Sequence, residues 1–119
     1  MTKEELQLRF KKFAIDNAIL ISKLEQNNIN SAYSRQLIRC SSSPGANYRA
    51  ACRAKSTADF INKLKIVEEE TDESIYFLEL IQFFNEIKSK DIETIIKEGR
   101  ELLAIIVASL KTSRENRKQ

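Results

Sequence analysis

The chain has 119 residues, 42% hydrophobic and 31% charged, with no histidine and no tryptophan. That length suits one domain with a real core and is short for two, and the balance of apolar and charged residues excludes a disordered chain. Lys and Arg number 20 against 17 Asp and Glu, and a net charge of +3 does not by itself mark a nucleic-acid binder.

Two glycines and one proline leave too few turns for a sheet protein, so the fold class is all-α. In residues 3–26 the apolar side chains Leu6, Phe10, Phe13, Leu20, Ile21 and Leu24 recur at helical spacing, with Asn17 in the middle of the stripe. The asparagine-rich stretch 26–30 then predicts a turn, with Ser31 as the cap of the next helix.

The second predicted helix spans residues 31–55. Tyr33, Leu37, Cys40, Pro44, Asn47, Tyr48, Ala51 and Ala54 share one side, mostly small enough for close helix approach. Pro44 removes a backbone donor and predicts a kink, with the Cys40 carbonyl left to water or to a hydroxyl of Ser41, Ser42 or Ser43. The alternative is a new helix, with Ser43 as its cap and Pro44 in its first position.

Ser56-Thr57-Ala58-Asp59 is a capping-box variant that opens a third helix reaching residue 88, with Phe60, Leu64, Val67, Thr71, Ile75, Leu78 and Ile81 inward. Asp91 is the expected cap of a fourth helix, whose apolar face runs from Ile92 through Gly99 to Leu110. The polar residues after Lys111 are expected to fray, giving a domain at 1–113 and a tail at 114–119. Four amphipathic helices with short connections predict an antiparallel up-down-up-down bundle with a kinked second helix.

Charge is unevenly spread. Over residues 35–65 the charged side chains are Arg35, Arg39, Arg49, Arg53, Lys55, Lys63 and Lys65 with Asp59 the lone acid, whereas residues 66–87 hold seven acids and no base. On a continuous helix the four arginines form a stripe roughly 27 Å long. It is read in three ways: a solvated face, a surface for the acidic run of a neighbouring subunit, or, with Lys55 and Lys63, a contact for nucleic-acid phosphates.

A second set of apolar residues lies opposite the core stripes: Tyr76, Leu80, Phe83 and Ile87 on the third helix, and Leu8, Ile15 and Ile19 on the first. A helix apolar all round has to be covered all round, so these residues, preceded by Glu69 and Glu73 on nearly the same face, are assigned to an oligomer interface.

Signs of chemistry are few. The chain lacks the Glu-x-x-His pairs of di-iron bundles, and neither cysteine has a histidine partner, so no metal, cofactor, small-molecule substrate or enzymatic activity is expected. On one helix Cys40 and Cys52 stand roughly 18 Å apart, beyond a disulfide's reach. Unbridged thiols without a signal-peptide pattern predict a cytoplasmic protein, and no apolar run approaches the roughly 20 residues of a membrane span. Asn17 and Asn47, on core-facing stripes, are expected to make a buried amide pair or backbone contacts rather than a pocket.

The segment Arg39, Ser43-x-Gly45-Ala46-Asn47-Tyr48, Arg53-Ala54-Lys55-Ser56, Phe60, Lys63-Leu64, then Glu69, Glu70, Asp72 and Glu73 before Leu78 and Leu80, resembles a known family. These are the small four-helix bundle proteins encoded in intervening sequences of bacterial 23S ribosomal RNA genes, also called S23 ribosomal proteins. The chain departs from the family pattern at Pro44, where an aliphatic residue is usual, and at Ala50-Ala51, where many members have an Ala-Glu-Gly type ending. The resemblance implies a bundle that forms a ring-shaped homopentamer. A distant relative, the accessory protein of diversity-generating retroelements, is such a ring and binds nucleic acid and a reverse transcriptase. A homo-oligomeric adaptor or scaffold is therefore the leading expectation, and an RNA- or DNA-binding accessory protein the alternative.

Overall fold

The computed structural model describes residues 1–118 and contains four long helices. The first, α1 (Lys3–Lys23), opens on a capping box: the Thr2 hydroxyl accepts from the Glu5 amide at 3.1 Å, and the Glu5 carboxylate accepts from the Thr2 amide at 3.2 Å. The second, α2 (Asn28–Ala51), begins one turn before the expected Ser31, because the Asn27 side chain accepts from the Asn30 amide at 2.8 Å.

Helix α2 runs without interruption through Pro44, so no new helix starts at Ser43. The buried Ser41 hydroxyl has no hydrogen-bond partner and so does not take up the Cys40 carbonyl. The helix ends at Ala51 rather than at residue 55, leaving Arg53 and Lys55 in the connection that follows.

Helix α3 (Thr57–Phe84) starts where the capping signal predicts: the Ser56 hydroxyl accepts from the Asp59 amide at 3.0 Å. It stops at Asn85, short of the expected residue 88, and Glu86–Lys88 form a 3-10 turn that leads into α4 (Ser89–Lys118). Asp91 thus lies in the first turn of α4 instead of capping it, where its charge still suits the helix dipole. Residues 114–118 continue α4 rather than fraying; the last residue of the expected tail, Gln119, lies outside the described residues.

The helices are antiparallel in sequence order. Phe10 near the start of α1 packs on Tyr48 near the end of α2, Tyr33 at the start of α2 on Phe84 at the end of α3, and Ile75 of α3 faces Gly99 of α4. The body measures 51 × 21 × 20 Å, a square bundle about as long as its longest helix. Helix α1 borders α2 and α4, and so does α3; α1 and α3 lie on a diagonal with no Cα pair within 8 Å among the described residues.

Down the middle run the predicted stripes. Phe10, Phe13, Leu37, Leu64, Leu78, Ile92, Ile96, Leu102 and Ile106 are fully buried, and such burial stabilises by roughly 1.5–3 kcal/mol per large side chain. Gly99 is buried against α1 and α3, and a Cβ there would meet Ile75 Cγ1 at 3.0 Å and Phe13 Cε1 at 3.2 Å, so the missing side chain is what lets the helices close. Asn17 and Asn47 make backbone contacts within their own helices, to Phe13 O at 2.8 Å and Ser43 O at 3.0 Å. The cross-helix amide pair is formed by Asn30 and Asn85 instead.

Candidate assembly and charge surfaces

Both outer apolar stripes stay open to solvent in the single chain. On α1, Leu8, Ile15 and Ile19 are exposed; on α3, Tyr76 and Phe83 are exposed, Leu80 is half-buried, and Ile87 in the 3-10 turn is 98% exposed. Because α1 and α3 are diagonal, the two stripes lie on opposite sides of the bundle.

The α3 side carries more aromatic surface than its sequence spacing indicates. Tyr33 of α2 packs on Phe77 and Phe84 of α3 at ring separations of 6.2 and 6.1 Å, and Tyr76–Phe77 and Phe83–Phe84 are edge-on pairs at 5.5 and 5.0 Å. Phe84, itself exposed, extends the patch. The signal was present as Phe83-Phe84, but adjacent residues point about 100° apart on a helix, so only the structure shows both reaching one surface.

The arginine stripe does not survive as a unit. Arg39 donates to both carboxylate oxygens of Glu70 at 3.1 Å and to Glu73 at 2.8 Å, bridging α2 to α3 within the chain. Its charge is therefore matched intramolecularly, and Glu73 is drawn away from the expected subunit interface while Glu69 remains exposed. Those carboxylates hold the Arg39 guanidinium above its ordinary range, Glu73 contributing most. Burial, then the neighbouring Glu73, pushes the Glu70 carboxyl up, with Arg39 opposing.

Lys63 is paired with Asp59 at 3.1 Å, one turn away. Arg35 and Arg49 are exposed on α2 and Arg53 and Lys55 on the following connection; none of the four makes a salt bridge among the described residues. Arg49 stands at the rim of a 590 Å³ groove between α1 and α2, whose wall includes Leu8, Phe10, Ala14, Gly45 and Ala46.

A further ion pair ties α1 to α4. The Arg9 guanidinium on α1 makes a two-pronged bridge to Glu98 on α4 and reaches Glu101 at 3.1 Å. Cys40 and Cys52 are both free thiols, and burial pushes Cys40 up, away from the thiolate form. Among the described residues no cluster of Cys, Asp and Glu could hold a metal ion, and no helix is long and apolar enough to cross a membrane.

The bundle has relatives. The sequence model of the 23S rRNA-intervening sequence protein family matches residues 6–108. The chain belongs to that family. A crystal structure of a protein of unknown function from the S23 ribosomal protein family, from Bacteroides thetaiotaomicron, is similar at 30% identity with a TM-score of 0.79, covering 89% of this chain and 98% of that one. No curated protein matches the chain. The match reaches into all four helices, as expected of a resemblance that covers nearly the whole chain.

Proposed function

We propose that this member of the 23S rRNA-intervening sequence protein family is a non-enzymatic, cytoplasmic, homo-oligomeric bundle acting as an adaptor or scaffold. The observation that carries this reading is the pair of apolar stripes left uncovered on opposite sides of the bundle, at Leu8, Ile15 and Ile19 and at Tyr76, Phe83 and Ile87. Six large exposed apolar side chains, five of them along α1 and α3 and Ile87 in the turn that follows α3, are more than the scattered exposure of an ordinary surface. A ring-shaped pentamer, as the family resemblance suggests, is one closed form such an assembly can take.

Light scattering on the eluting protein tests it. The expected mass is a multiple of the 13.7 kDa chain, falling to a single chain in the variant Phe83→Glu/Ile87→Glu. A wild-type chain that elutes as a monomer at micromolar concentration sinks the reading.

The second reading, an RNA- or DNA-binding accessory protein, rests on the exposed cations Arg35, Arg49, Arg53 and Lys55. It is weaker than the sequence alone implies, because Arg39 and Lys63 already carry carboxylate partners.

A further inference from the structure

We infer that the end of the bundle where α1 starts and α4 stops is a docking surface for a short extended segment of a partner protein, acidic along most of its length and carrying a bulky apolar side chain. This rests on the adaptor part of the reading above, to which it gives a place and a partner class. It does not depend on how many copies assemble.

Unequal helix lengths open the surface. Helix α1 has 21 residues and α4 has 30. The two are level at the other end, where Lys23 and Asp91 line one groove, so α4 runs roughly 13 Å past the start of α1. The corner that α1 leaves open holds two adjoining grooves, of 430 and 460 Å³, which share Phe60 and Ser113. The larger is lined by Ile105 and Ala108 of α4; the smaller is polar, with Ser56, Thr57 and Asn116 in its wall.

Charge selects the occupant. Lys3, Arg53, Lys55, Arg114 and Arg117 are exposed around this end, and none makes a salt bridge among the described residues. Of the acids nearby, Asp59 is held by Lys63, Glu5 accepts from the Thr2 amide, Glu4 stands on the rim of the α1–α2 groove, and Glu115 lies on the opposite side of α4 from Arg117. Helix dipoles account for cations at the ends of α2 and α4, but Lys3 begins α1, where a cation is disfavoured. Arg117 also continues the core register of α4, following buried Ile106 and Leu110 and half-buried Ser113 at helical spacing. The face of α4 turned to the open corner thus changes from apolar to cationic.

A strand of nucleic acid fits this end less well. Single strands are held by bases stacked on exposed rings, and the exposed Phe83 and Phe84 lie at the opposite end of the 51 Å body. The aliphatic groove suits a side chain instead, and the open corner matches about four extended residues.

Fluorescence anisotropy tests it, with a labelled peptide of two leucines followed by six glutamates. Saturable binding of one peptide per chain is expected at physiological salt. Arg53→Gln/Arg117→Gln and Lys3→Gln/Lys55→Gln, both verified as helical by circular dichroism, should each weaken it about fivefold, whereas Arg35→Gln/Lys97→Gln, which removes the same charge elsewhere, should leave it unchanged. Serines in place of the leucines should weaken it about tenfold. Absence of binding, equal weakening by all three variants, indifference to the leucines, or tighter binding of a twelve-uridine RNA each overturns the docking surface. Light scattering on the same samples reads the assembly separately, so a failed docking surface leaves the homo-oligomer standing, and a monomeric chain that binds the peptide leaves the docking surface standing.

Discussion

The side-chain amides of Asn30 and Asn85 donate to each other's oxygens, at 3.1 and 2.9 Å, across the end of the bundle where α2 begins and α3 stops. Each also donates to a backbone carbonyl, Asn30 to Glu25 at 2.8 Å and Asn85 to Ile81 at 2.7 Å. The pair thus joins the α1–α2 turn to the end of α3. Truncating one partner strands the other in a largely buried site, so Asn85→Ala is expected to cost about 1–3 kcal/mol in urea unfolding. The Asn30→Ala/Asn85→Ala double variant should lose clearly less than the sum of the two singles, and strict additivity would show that the amides do not act together.

The two glycines should respond differently to alanine. At Gly45 a new Cβ meets Phe10 Cβ at an ordinary 3.5 Å, so the gain in helix propensity, roughly 1 kcal/mol, is realised as added stability. At Gly99 the same Cβ presses on Ile75 and Phe13 in a packed core at 3.0 and 3.2 Å, which offsets that gain. Thermal unfolding should place Gly45→Ala above the wild type and Gly99→Ala below Gly45→Ala. The reverse order would mean that the α1–α3–α4 contact is looser than these distances indicate.

Stability at the Arg39–Glu70–Glu73 bridge should depend on pH. Glu70 is raised in the folded state by burial first, so the fold holds its proton more tightly than the unfolded chain does. Its contribution is fully present below the unfolded pKa and is lost as pH rises through the higher folded value. Asp59 runs the other way: held down chiefly by Lys63, it contributes above its unfolded pKa and loses that as pH falls through the folded value. Replacing Arg39 by Met removes the cation that opposes the rise at Glu70. Its stability deficit should be small below the carboxylate range and grow toward neutral pH; a deficit constant with pH would show that the cation is immaterial to these acids.

Nucleic-acid retention provides the decisive contrast between the two functional readings. Under the scaffold reading, the purified protein retains no RNA at low salt and Arg49→Glu/Arg53→Glu changes nothing. If RNA is retained through Arg35, Arg49, Arg53 and Lys55 alone, four phosphate contacts are expected, so the slope of log affinity against log salt should be no steeper than about −4 per chain. A salt-steep retention abolished by that variant would transfer the assignment to the nucleic-acid reading.

Much of the fold was legible without coordinates. The 3.6-residue recurrence of Phe10, Leu64, Ile92 and their fellows is a property of the local chain, and so is the cap at Ser56; each needs only neighbours within a few positions to be read. The same holds for the outer stripes on α1 and α3, because a residue facing away from a helix's core side does so whatever that helix packs against. Helix ends were less legible, since Asn27 displaces Ser31 as a cap, and α3 stops at Asn85, through bonds whose competition spacing does not rank.

What only the tertiary structure decided is which helices are neighbours. The partner of Arg39 lies 31 residues away at Glu70, that of Asn30 lies 55 away at Asn85, and the diagonal placement of α1 and α3 involves every helix at once. Amphipathic period gives each helix an inside and an outside, but not an order around the square. That order follows from how four cores interlock, with Gly99 admitting Ile75 and Phe13, and it is what turns two apolar stripes into opposite faces of one molecule.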